Sequence, residues 1–448
     1  MQFLLQRMEQ VREAPALATP DGTHTYGELL ARVTTWGERL ANMGLPPGSV
    51  VTVEGDYGAD TIAVFLALAL AGHVIVPLSS DSAPQHDACR DVAQVEARVL
   101  RDGTPWRLHG PRRPDHPIYA TLRERWHPGL VLFSSGSTGQ SKAAVHDLTV
   151  LLEKYEMARH RYRTLVFLLL DHIGGVNTLF YTLSNGGTIV VPKERRPTAV
   201  CDAIERHRVE VLPTSPTFLN LLLLSGEPAW RDLSSLRLIT YGTEPMPAST
   251  LAKVSRGFPG VRLLQTYGMT EVGILHSQSR SSDSLWVRVG GSGFETKIVD
   301  GRLWIRARSS MLGYLNRPSP FDADGFLDTG DVVEADGEWI RFLGRKDEII
   351  NVGGSKVYPA EVTSVLLEMD GVTDALVYGE PHVITGQIVA ATVQLAGPEQ
   401  PWEFKVRMRR HCVERLAAYK VPAKVRVTNG PLHSTRFKRQ RPNGQNEE

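Results

Sequence analysis

A stretch of hydroxyl residues and glycines follows an apolar segment and ends at a lysine. The apolar segment is GLVLF (129–133), and the stretch after it reads SSGSTGQSK. Glycine-rich turns expose backbone N–H groups that bind phosphate oxygens, and hydroxyl or ammonium groups beside them bind the same oxygens. The G-x-x-x-x-G-K-[ST] spacing of P-loop NTPases is not met, because Gln140 and Ser141 stand between the last glycine and the lysine. The pattern predicts a phosphate-binding loop of another kind, formed by Ser134, Ser135, Gly136, Ser137, Thr138, Gly139 and Lys142.

Two later segments carry carboxylates in turns. The segment YGMTE (267–271) offers the Thr270 hydroxyl and the Glu271 carboxylate, and LDTGD (327–331) places Asp331 after a glycine. Proteins bind Mg²⁺ through one or two carboxylates together with phosphate oxygens, so Glu271 is a candidate metal ligand. A short carboxylate in a glycine turn suits two vicinal ribose hydroxyls, and Arg345 is the candidate partner of Asp331 there.

The order of these segments resembles that of the adenylate-forming superfamily, which includes acyl-CoA and aryl-CoA synthetases, adenylation domains of peptide synthetases and luciferases. The loop, YGMTE, TGD (329–331) and GRKDEIINVGGSKVYPAE (344–361) match four family blocks in order. The segment YGTEP (241–245) resembles the family's adenine turn, with Thr243 in place of the second glycine. The resemblance implies binding of ATP and Mg²⁺, with further nucleotide contacts from Gly242, Thr243, Glu244, Pro245, Tyr267, Gly268 and Met269. We expect Tyr267 to stack on the base.

A histidine segment gives information about the acid that is activated. LDHIGG (170–175) resembles the family segment beside the substrate carboxylate, which implies that His172 is a gate there. In amino-acid-activating relatives an Asp stands at the position of Ile173 and pairs with the substrate's ammonium group. An apolar side chain cannot compensate a buried ammonium, so we expect an aryl, alkenyl or alkyl carboxylic acid, although Asp171 is one step away. The expected pocket contains His172, Ile173, Gly174 and Gly242, where small residues indicate either room for a ring or close packing.

The C-terminal segment resembles the part of the family that carries the catalytic lysine. Lys438 with Arg441 preserves the K-x-x-R spacing, whereas Phe437 replaces the usual glycine. Arg436 and Arg439 are competing phosphate contacts. The catalytic residues that the resemblance implies are Lys438, Glu271, His172 and Thr270.

The resemblance also implies two half-reactions at one site. The carboxylate attacks the α-phosphate of ATP and expels pyrophosphate, and the C-terminal domain then rotates about the hinge residue Asp347. That rotation would withdraw Lys438 and present Gly353 and Gly354 beside the acyl-adenylate. The expected acceptor is the thiol of coenzyme A. The alternative acceptors are a phosphopantetheine thiol on an acyl carrier protein and an amine. An alternative function is that of a non-catalytic member that only binds ATP or AMP.

Composition and charge describe an ordinary globular protein. Among the 448 residues, 50 Lys plus Arg balance 49 Asp plus Glu, for a formal net charge of +1, which argues against nucleic acid as a partner although segment 405–441 is basic. The 3 cysteines lie far apart and indicate no disulfide framework. The apolar segment 61–78 is interrupted by Gly72, His73 and Pro77, so it predicts a buried helix and strand and no membrane span. No signal-peptide core is seen, and we expect a cytoplasmic monomer or homodimer.

The elements that must position these residues follow an α/β pattern. Short apolar runs alternate with helical patterns such as 26–43, 198–207 and 216–224, which predicts parallel strands joined by helices. The expected strands are 50–54, 73–78, 129–133, 164–170, 187–191, 209–213, 236–241 and 261–265. From Trp286, glycine and aspartate turns predict antiparallel hairpins, and beyond Arg345 an α+β pattern returns. We expect an adenylation domain at 1–345 and a small mobile domain at 346–448 that carries Lys438.

Overall fold

The computed structural model describes residues 1–100, 104–107, 113–134, 141–434 and 436–437. Two sets of predicted site residues therefore lie outside the described residues. They are the loop residues Ser135, Gly136, Ser137, Thr138 and Gly139, and the C-terminal lysine Lys438.

Two seven-stranded sheets form the larger part of the molecule. From one edge of the first sheet to the other, the strands are Arg262–Gln265, Leu238–Tyr241, Val211–Thr214, Arg163–Leu165, Thr188–Val190, Pro15–Thr19 and Gly22–Thr25. Its strands are parallel except for the last, which pairs antiparallel with Pro15–Thr19. The second sheet contains Gly313–Tyr314, Lys142–Asp147, Gly129–Ser134, Val74–Leu78, Val50–Glu54, Ala97–Val99 and Pro105–Arg107. Its four central strands, from Gly129–Ser134 to Ala97–Val99, are parallel and its edges antiparallel. The predicted α/β class is confirmed.

Helices cover these sheets and join their strands. In the described residues the α-helices are α1 Gln2–Gln10, α2 Tyr26–Asn42, α3 Ala59–Leu70, α4 His86–Ala93, α5 Pro117–Arg125, α6 Leu148–Leu152, α7 Ile173–Ser184, α8 Pro197–His207, α9 Pro216–Leu224, α10 Ala248–Gly257, α11 Pro359–Leu366 and α12 Pro401–Val413. The largest apolar core includes side chains of both sheets and of α1, α2, α3 and α7. Helix α3 is buried along most of its length and leads into a buried strand, as the apolar segment predicted.

An antiparallel unit and a C-terminal unit complete the fold. The antiparallel sheet has the order His276–Ser279, Val287–Gly290, Trp339–Arg345, Leu327–Asp336, Arg302–Ala307 and Phe294–Val299, and a small hairpin pairs Gly268–Met269 with Gly273–Ile274. The C-terminal sheet has the order Ser355–Val357, Ile350–Val352, Gly386–Leu395 and Val372–His382, with Lys424–Thr428 parallel to Gly386–Leu395. Helices α11 and α12 pack on it around a separate apolar core.

The two parts of the chain touch through helices α9, α10 and α11. Ser249 of α10 exchanges hydrogen bonds with Ser364 of α11, and Lys253 Nζ donates to the Leu367 carbonyl at 2.6 Å. Asn220 of α9 donates to the Thr373 carbonyl at 2.8 Å. These contacts place the C-terminal unit against the helices that follow two central strands of the first sheet.

The prediction of a strand over 164–170 is wrong for most of its length. The strand ends at Leu165, irregular backbone follows, and α7 begins at Ile173. The pattern did not reveal α7 because Gly174 and Gly175 stand in its first turn, and glycine is a poor helix former. Tertiary packing supplies the reason for one of them: a Cβ on Gly175 would lie 1.9 Å from the Leu169 carbonyl oxygen.

The last α-helix of the described residues, α12, ends at Val413. In the described part of the chain, no helix has both the length and the apolar character that crossing a membrane requires.

Candidate active site

The carboxyl ends of adjacent parallel strands lead into three segments that contain predicted site residues. Strands ending at Leu165, Thr214, Tyr241 and Gln265 are neighbours in the first sheet. Ligands of open α/β sheets bind outside these ends, where the connecting loops diverge. The adenine turn follows Tyr241, the YGMTE segment follows Gln265, and the segment that contains His172 follows Leu165. The topology therefore brings together segments that are far apart in the sequence.

Glu271 lies in a turn and receives a hydrogen bond from a tyrosine that the sequence did not indicate. Its side chain is 8% exposed, and the Tyr314 hydroxyl donates to Glu271 Oε1. Lys142 Nζ lies 5.8 Å from the centre of the Tyr314 ring. Burial, followed by the nearby carboxylate, raises the pKa of Tyr314, which keeps the hydroxyl protonated as a donor. The lysine at the end of the phosphate loop and the candidate magnesium ligand are thus brought to the same tyrosine.

Asn316 fixes the chain around Lys142. Its side-chain oxygen accepts from the Ala143 N–H at 3.1 Å, and its amide nitrogen donates to the Ser141 carbonyl at 2.9 Å. The same segment contributes Tyr314 to the edge of the second sheet, beside Ala144 and Val145. Sequence reasoning missed both Tyr314 and Asn316, since neither stands in a recognised block. The hydrogen-bond partner of Tyr314 is 43 residues away, and those of Asn316 are 173 and 175 residues away.

Asp331, the expected ribose ligand, is held by one aromatic and one basic residue. Tyr267 Oη donates to Asp331 Oδ2 at 2.5 Å, and Arg345 Nη1 lies 3.9 Å from Oδ1. Burial raises the pKa of the Asp331 carboxyl, and the Tyr267 hydrogen bond and the Arg345 charge oppose that rise. Arg345 also donates to the Thr329 carbonyl at 3.2 Å, which fixes the guanidinium beside the TGD turn.

One face of Tyr267 is covered in the structure. Its ring stacks on Phe342 with centroids 4.6 Å apart and planes 11° from parallel. The role of Tyr267 as a stacking partner of adenine stays a prediction, and the structure shows in addition that the residue orients Asp331.

The segment YGTEP, the predicted adenine turn, shows why one glycine is needed and what replaces the other glycine of the pattern that it resembles. A Cβ on Gly242 would lie 2.7 Å from the Thr266 carbonyl oxygen, so the close approach of the two loops requires a glycine there. Thr243 has a φ of 75°, a left-handed conformation that favours glycine and that β-branched residues rarely adopt. Glu244 Oε1 accepts from the Thr217 N–H at 2.7 Å, at the beginning of α9. Pro245 follows in the same turn.

His172 is the N-cap residue of α7. Its Nδ1 accepts the Gly174 N–H at 3.0 Å, which fixes the ring plane at the beginning of the helix. Ile173 is 3% exposed and belongs to the large apolar core. A Cβ on Gly174 would lie 2.6 Å from a Leu168 methyl group. Close packing therefore accounts for Gly174, and for Gly175 as described above.

Asp171 already has a cationic partner within the chain. Arg436 Nη2 donates to Asp171 Oδ2 at 2.7 Å, and the Ser79 and Ser82 hydroxyls donate to the same oxygen at 2.6 and 3.2 Å. The side chain of Asp171 is 7% exposed. Asp171 is the carboxylate that left an amino-acid substrate as an alternative in the sequence, and its Oδ2 is thus paired with the C-terminal segment.

The glycine-rich loop of the C-terminal unit is a tight hairpin turn. Gly353 and Gly354 join strands Ile350–Val352 and Ser355–Val357 and have φ values of 57° and 87°. Two-residue hairpins of this kind require positive φ at both positions, which explains the glycine pair. Asp347 lies in a short turn just before, and its Oδ1 is 3.5 Å from Arg345 Nε.

A partly buried lysine lies between α7 and the YGMTE hairpin. Lys154 Nζ donates to Asn177 Oδ1 at 2.8 Å and to the Ile274 carbonyl at 3.2 Å. Burial lowers the pKa of Lys154 to about 7. No sequence pattern indicated Lys154, because it follows a short helix and stands in no motif.

The segment that follows Gln265 thus carries one carboxylate, Glu271, and contacts a second, Asp331, through Tyr267. These two carboxylates are the candidate ligands of a divalent cation and of a ribose. Ligands of open α/β sheets bind outside the carboxyl ends of the strands, so this arrangement is the one expected of a nucleotide-dependent enzyme. Two family models match the chain: AMP-binding enzyme over residues 4–315, and AMP-binding enzyme C-terminal domain over residues 361–437. The chain belongs to the AMP-binding enzyme family, and it is an AMP-forming ligase, as its resemblance to the adenylate-forming superfamily implied.

Relatives of known activity cover nearly the whole chain. An indoleacetate–CoA ligase of Aromatoleum aromaticum is 29% identical over 474 aligned positions, which cover 92% of this chain and 90% of that protein. A 2-succinylbenzoate–CoA ligase of Bacillus subtilis is 27% identical, with 94% and 93% covered. The amide bond synthetase McbA of Marinactinospora thermotolerans shares the fold with a TM-score of 0.78 at 24% identity, and covers 97% of this chain and 96% of its own.

Proposed function

We propose that the protein activates an aryl or alkyl carboxylic acid with ATP and transfers the acyl group to the thiol of coenzyme A. The observation that carries the proposal is a pair of carboxylates that each accept a hydrogen bond from a tyrosine, Glu271 from Tyr314 and Asp331 from Tyr267. Glu271 and Tyr267 both belong to the segment that follows the strand ending at Gln265. The two curated relatives named above are CoA ligases of acids that contain an aromatic ring, which supports an aryl acid and a thiol acceptor.

Several predicted site residues have a proposed role in the first half-reaction. Asp331 and Arg345 orient the ribose, the residues around Gly242 accommodate the base, and Lys142 with the hydroxyl loop binds the phosphates. Thr270 and His172 line the path between the phosphates and the acid, and Lys438 contacts the reacting phosphate. The acid carboxylate then attacks the α-phosphate, and the bond to pyrophosphate breaks. Positioning and electrostatic stabilisation supply the catalysis in this scheme.

Glu271 suits a magnesium ion in the proposed site. It is a hard oxygen ligand in a turn, and the ring of its donor Tyr314 has its centre 5.8 Å from Lys142 Nζ. Such a ligand matches the preference of Mg²⁺ for a few carboxylates plus phosphate oxygens. When bound, the ion neutralises phosphate charge. Tyr314 fixes the Glu271 carboxylate from the protein side.

Ile173 and Asp171 support the choice of acid class. A core isoleucine offers no partner to an ammonium group, and the Asp171 oxygen that accepts hydrogen bonds pairs with Arg436. An α-amino acid would therefore have to place its charge beside an apolar side chain, which is costly.

The second half-reaction is proposed to use a rotation about Asp347. The strand that ends at Arg345 belongs to the antiparallel sheet, whereas the strand that begins at Ile350 belongs to the C-terminal sheet. A boundary between domains 1–345 and 346–448 fits this change of sheet. The hairpin at Gly353 and Gly354 would then carry the pantetheine arm of coenzyme A to the acyl-adenylate.

Acid-dependent exchange of labelled pyrophosphate into ATP tests the proposal. The assay uses benzoates, cinnamates, indole-3-acetate, medium-chain fatty acids and α-amino acids, with Glu271→Gln and the exposed Glu338→Gln as matched variants. Exchange with aryl or alkyl acids that Glu271→Gln abolishes and Glu338→Gln preserves is expected. Exchange confined to α-amino acids would contradict the acid class, and tight AMP binding without exchange would show a non-catalytic protein.

The acceptor is tested with the acid that gives the fastest exchange. Coenzyme A, a phosphopantetheinylated carrier protein and a primary amine are compared, and the acylated product is identified by mass spectrometry. A thioester of coenzyme A is expected. An amide as the main product would favour the activity named for the amide bond synthetase and would contradict the thiol assignment.

A further inference from the structure

The C-terminal segment reaches the beginning of α7 through an ion pair. Arg436 and Asp171 are 265 residues apart in the sequence, and their side chains meet at 2.7 Å. Asp171 is 7% exposed, and Arg436 is the basic side chain that pairs with it among the described residues. A charge that is taken out of water is stable only when a partner compensates it. Undocking of the segment would leave this carboxylate with two serine hydroxyls and no cation.

The next residue, Phe437, inserts its ring between side chains of the N-terminal part. Its ring centre lies 5.3 Å from those of both Phe167 and Phe218. The Ser215 hydroxyl donates to the Phe437 carbonyl at 2.7 Å. His433, from the same segment, stacks on the ring with centroids 5.5 Å apart. Aromatic pairs at these separations add favourable energy beyond the burial of apolar area.

The backbone of Phe437 keeps the conformation that a glycine would adopt. Its φ is 53°, in the left-handed region that is costly for a bulky residue. Such a conformation persists only where the surrounding contacts hold it. In the family pattern a glycine stands at this position directly before the catalytic lysine. This chain therefore has a strained phenylalanine where the family pattern has a glycine, and the phenylalanine ring packs on Phe167 and Phe218.

We propose that Arg436 and Phe437 form a clasp that docks the C-terminal segment on the N-terminal part and positions Lys438 for the first half-reaction. The inference rests on the proposed function for the role of Lys438, and on the contacts of Asp171, Phe167, Phe218 and Ser215 for the docking itself. Arg436 and Phe437 are positioning residues in this scheme, since they act through their neighbour.

The clasp has a cost in the second half-reaction. Rotation about Asp347 must break the Arg436–Asp171 pair and move the Phe437 ring into water. The clasp therefore favours adenylation and slows the transfer of the acyl group. Weakening it should change the two half-reactions in opposite directions, whereas a loss of general stability would lower both.

Hydrogen exchange of the full chain tests the docking without any acid. Peptides that cover 432–441 are compared in the parent, Arg436→Ala, Phe437→Gly and Arg409→Ala, the last an exposed arginine of α12 that serves as the control. Arg436→Ala loses a hydrogen bond to a buried charge, and Phe437→Gly loses the ring contacts with Phe167 and Phe218. Exchange should be about tenfold to a hundredfold faster in these two variants. The control should match the parent. Equal exchange in all four proteins would overturn the clasp.

The half-reactions are then measured separately, with the acid that the exchange panel selects. Pyrophosphate exchange should fall about tenfold or more in Arg436→Ala and Phe437→Gly, while transfer from a supplied acyl-adenylate to coenzyme A should be equal or faster. In an Asp171→Asn background, Arg436→Ala should have little further effect on exchange. Equal decreases in both half-reactions would overturn the positioning role. A parent without exchange for any acid would instead refute the proposed function, and hydrogen exchange would still decide the docking.

Discussion

Asp331→Asn isolates the contribution of the proposed ribose ligand. The substitution keeps the size of the side chain and still offers Tyr267 an acceptor, but it removes the charge that lies 3.9 Å from Arg345. A hydrogen bond to a charged group contributes about 1.5–3 kcal/mol, which corresponds to roughly a 10- to 150-fold change. We therefore expect kcat/KM for ATP in pyrophosphate exchange to fall by roughly that factor. Asp336→Asn, an exposed position on the same strand, should leave it unchanged.

The same measurement with 2′,3′-dideoxy-ATP tests whether the loss of activity comes from the ribose contact. The analogue lacks the hydroxyls that Asp331 is proposed to bind, so the variant and the parent should use it equally well. If Asp331→Asn loses as much activity with the analogue as with ATP, the ribose assignment is wrong. Burial raises the pKa of Asp331, so the folded chain binds its proton more tightly than the unfolded chain does. Ionisation of Asp331 as the pH rises therefore lowers the stability of the fold. The Asn variant, which cannot ionise, should melt no lower than the parent at pH 7.

Three further substitutions test the supporting structure. Tyr314→Phe removes the donor to Glu271, so the Mg²⁺ concentration that gives half-maximal exchange should rise and the free energy of unfolding should fall by about 1–3 kcal/mol; unchanged values for both would refute the orienting role. Lys154 has a pKa lowered from 10.5 to about 7, so the unfolded chain binds more protons between these values and stability rises with pH. Urea unfolding should therefore show Lys154→Met more stable than the parent at pH 6, by a margin that shrinks towards pH 10; a margin independent of pH would contradict the buried charge. Gly175→Ala should yield little folded protein, because the added Cβ would lie 1.9 Å from a carbonyl oxygen. Gly37→Ala adds a Cβ in the middle of a helix with nothing within 4 Å, and should raise the melting temperature. Equal yields and melting temperatures for the two variants would contradict the packing argument.

Local patterns predicted the elements well where one side of an element is apolar. Helix Pro216–Leu224 begins and ends at the predicted residues, because Ser215 caps it and its apolar side chains are buried. The strand Val50–Glu54 is also as predicted. The segment 164–170 failed because its apolar residues are buried by tertiary contacts and not by a longer strand, so their type carried no information on backbone conformation.

The sequence indicated which residues belong to the candidate site, but not which side chains they contact. Glu271 and Asp331 stood out as carboxylates in turns, yet their hydrogen-bond donors, Tyr314 and Tyr267, are 43 and 64 residues away. The Arg436–Asp171 pair spans 265 residues. No local pattern encodes such contacts, since they depend on how two sheets and a C-terminal unit come together.

Transfer of an oxygen atom from acid to nucleotide tests the central claim most directly. The acid that supports exchange is labelled with ¹⁸O in its carboxylate and incubated with ATP, Mg²⁺, coenzyme A and the enzyme. Attack of the carboxylate on the α-phosphate predicts that the AMP released carries one ¹⁸O atom. Unlabelled AMP, or formation of ADP and phosphate in its place, would contradict an acyl-adenylate intermediate.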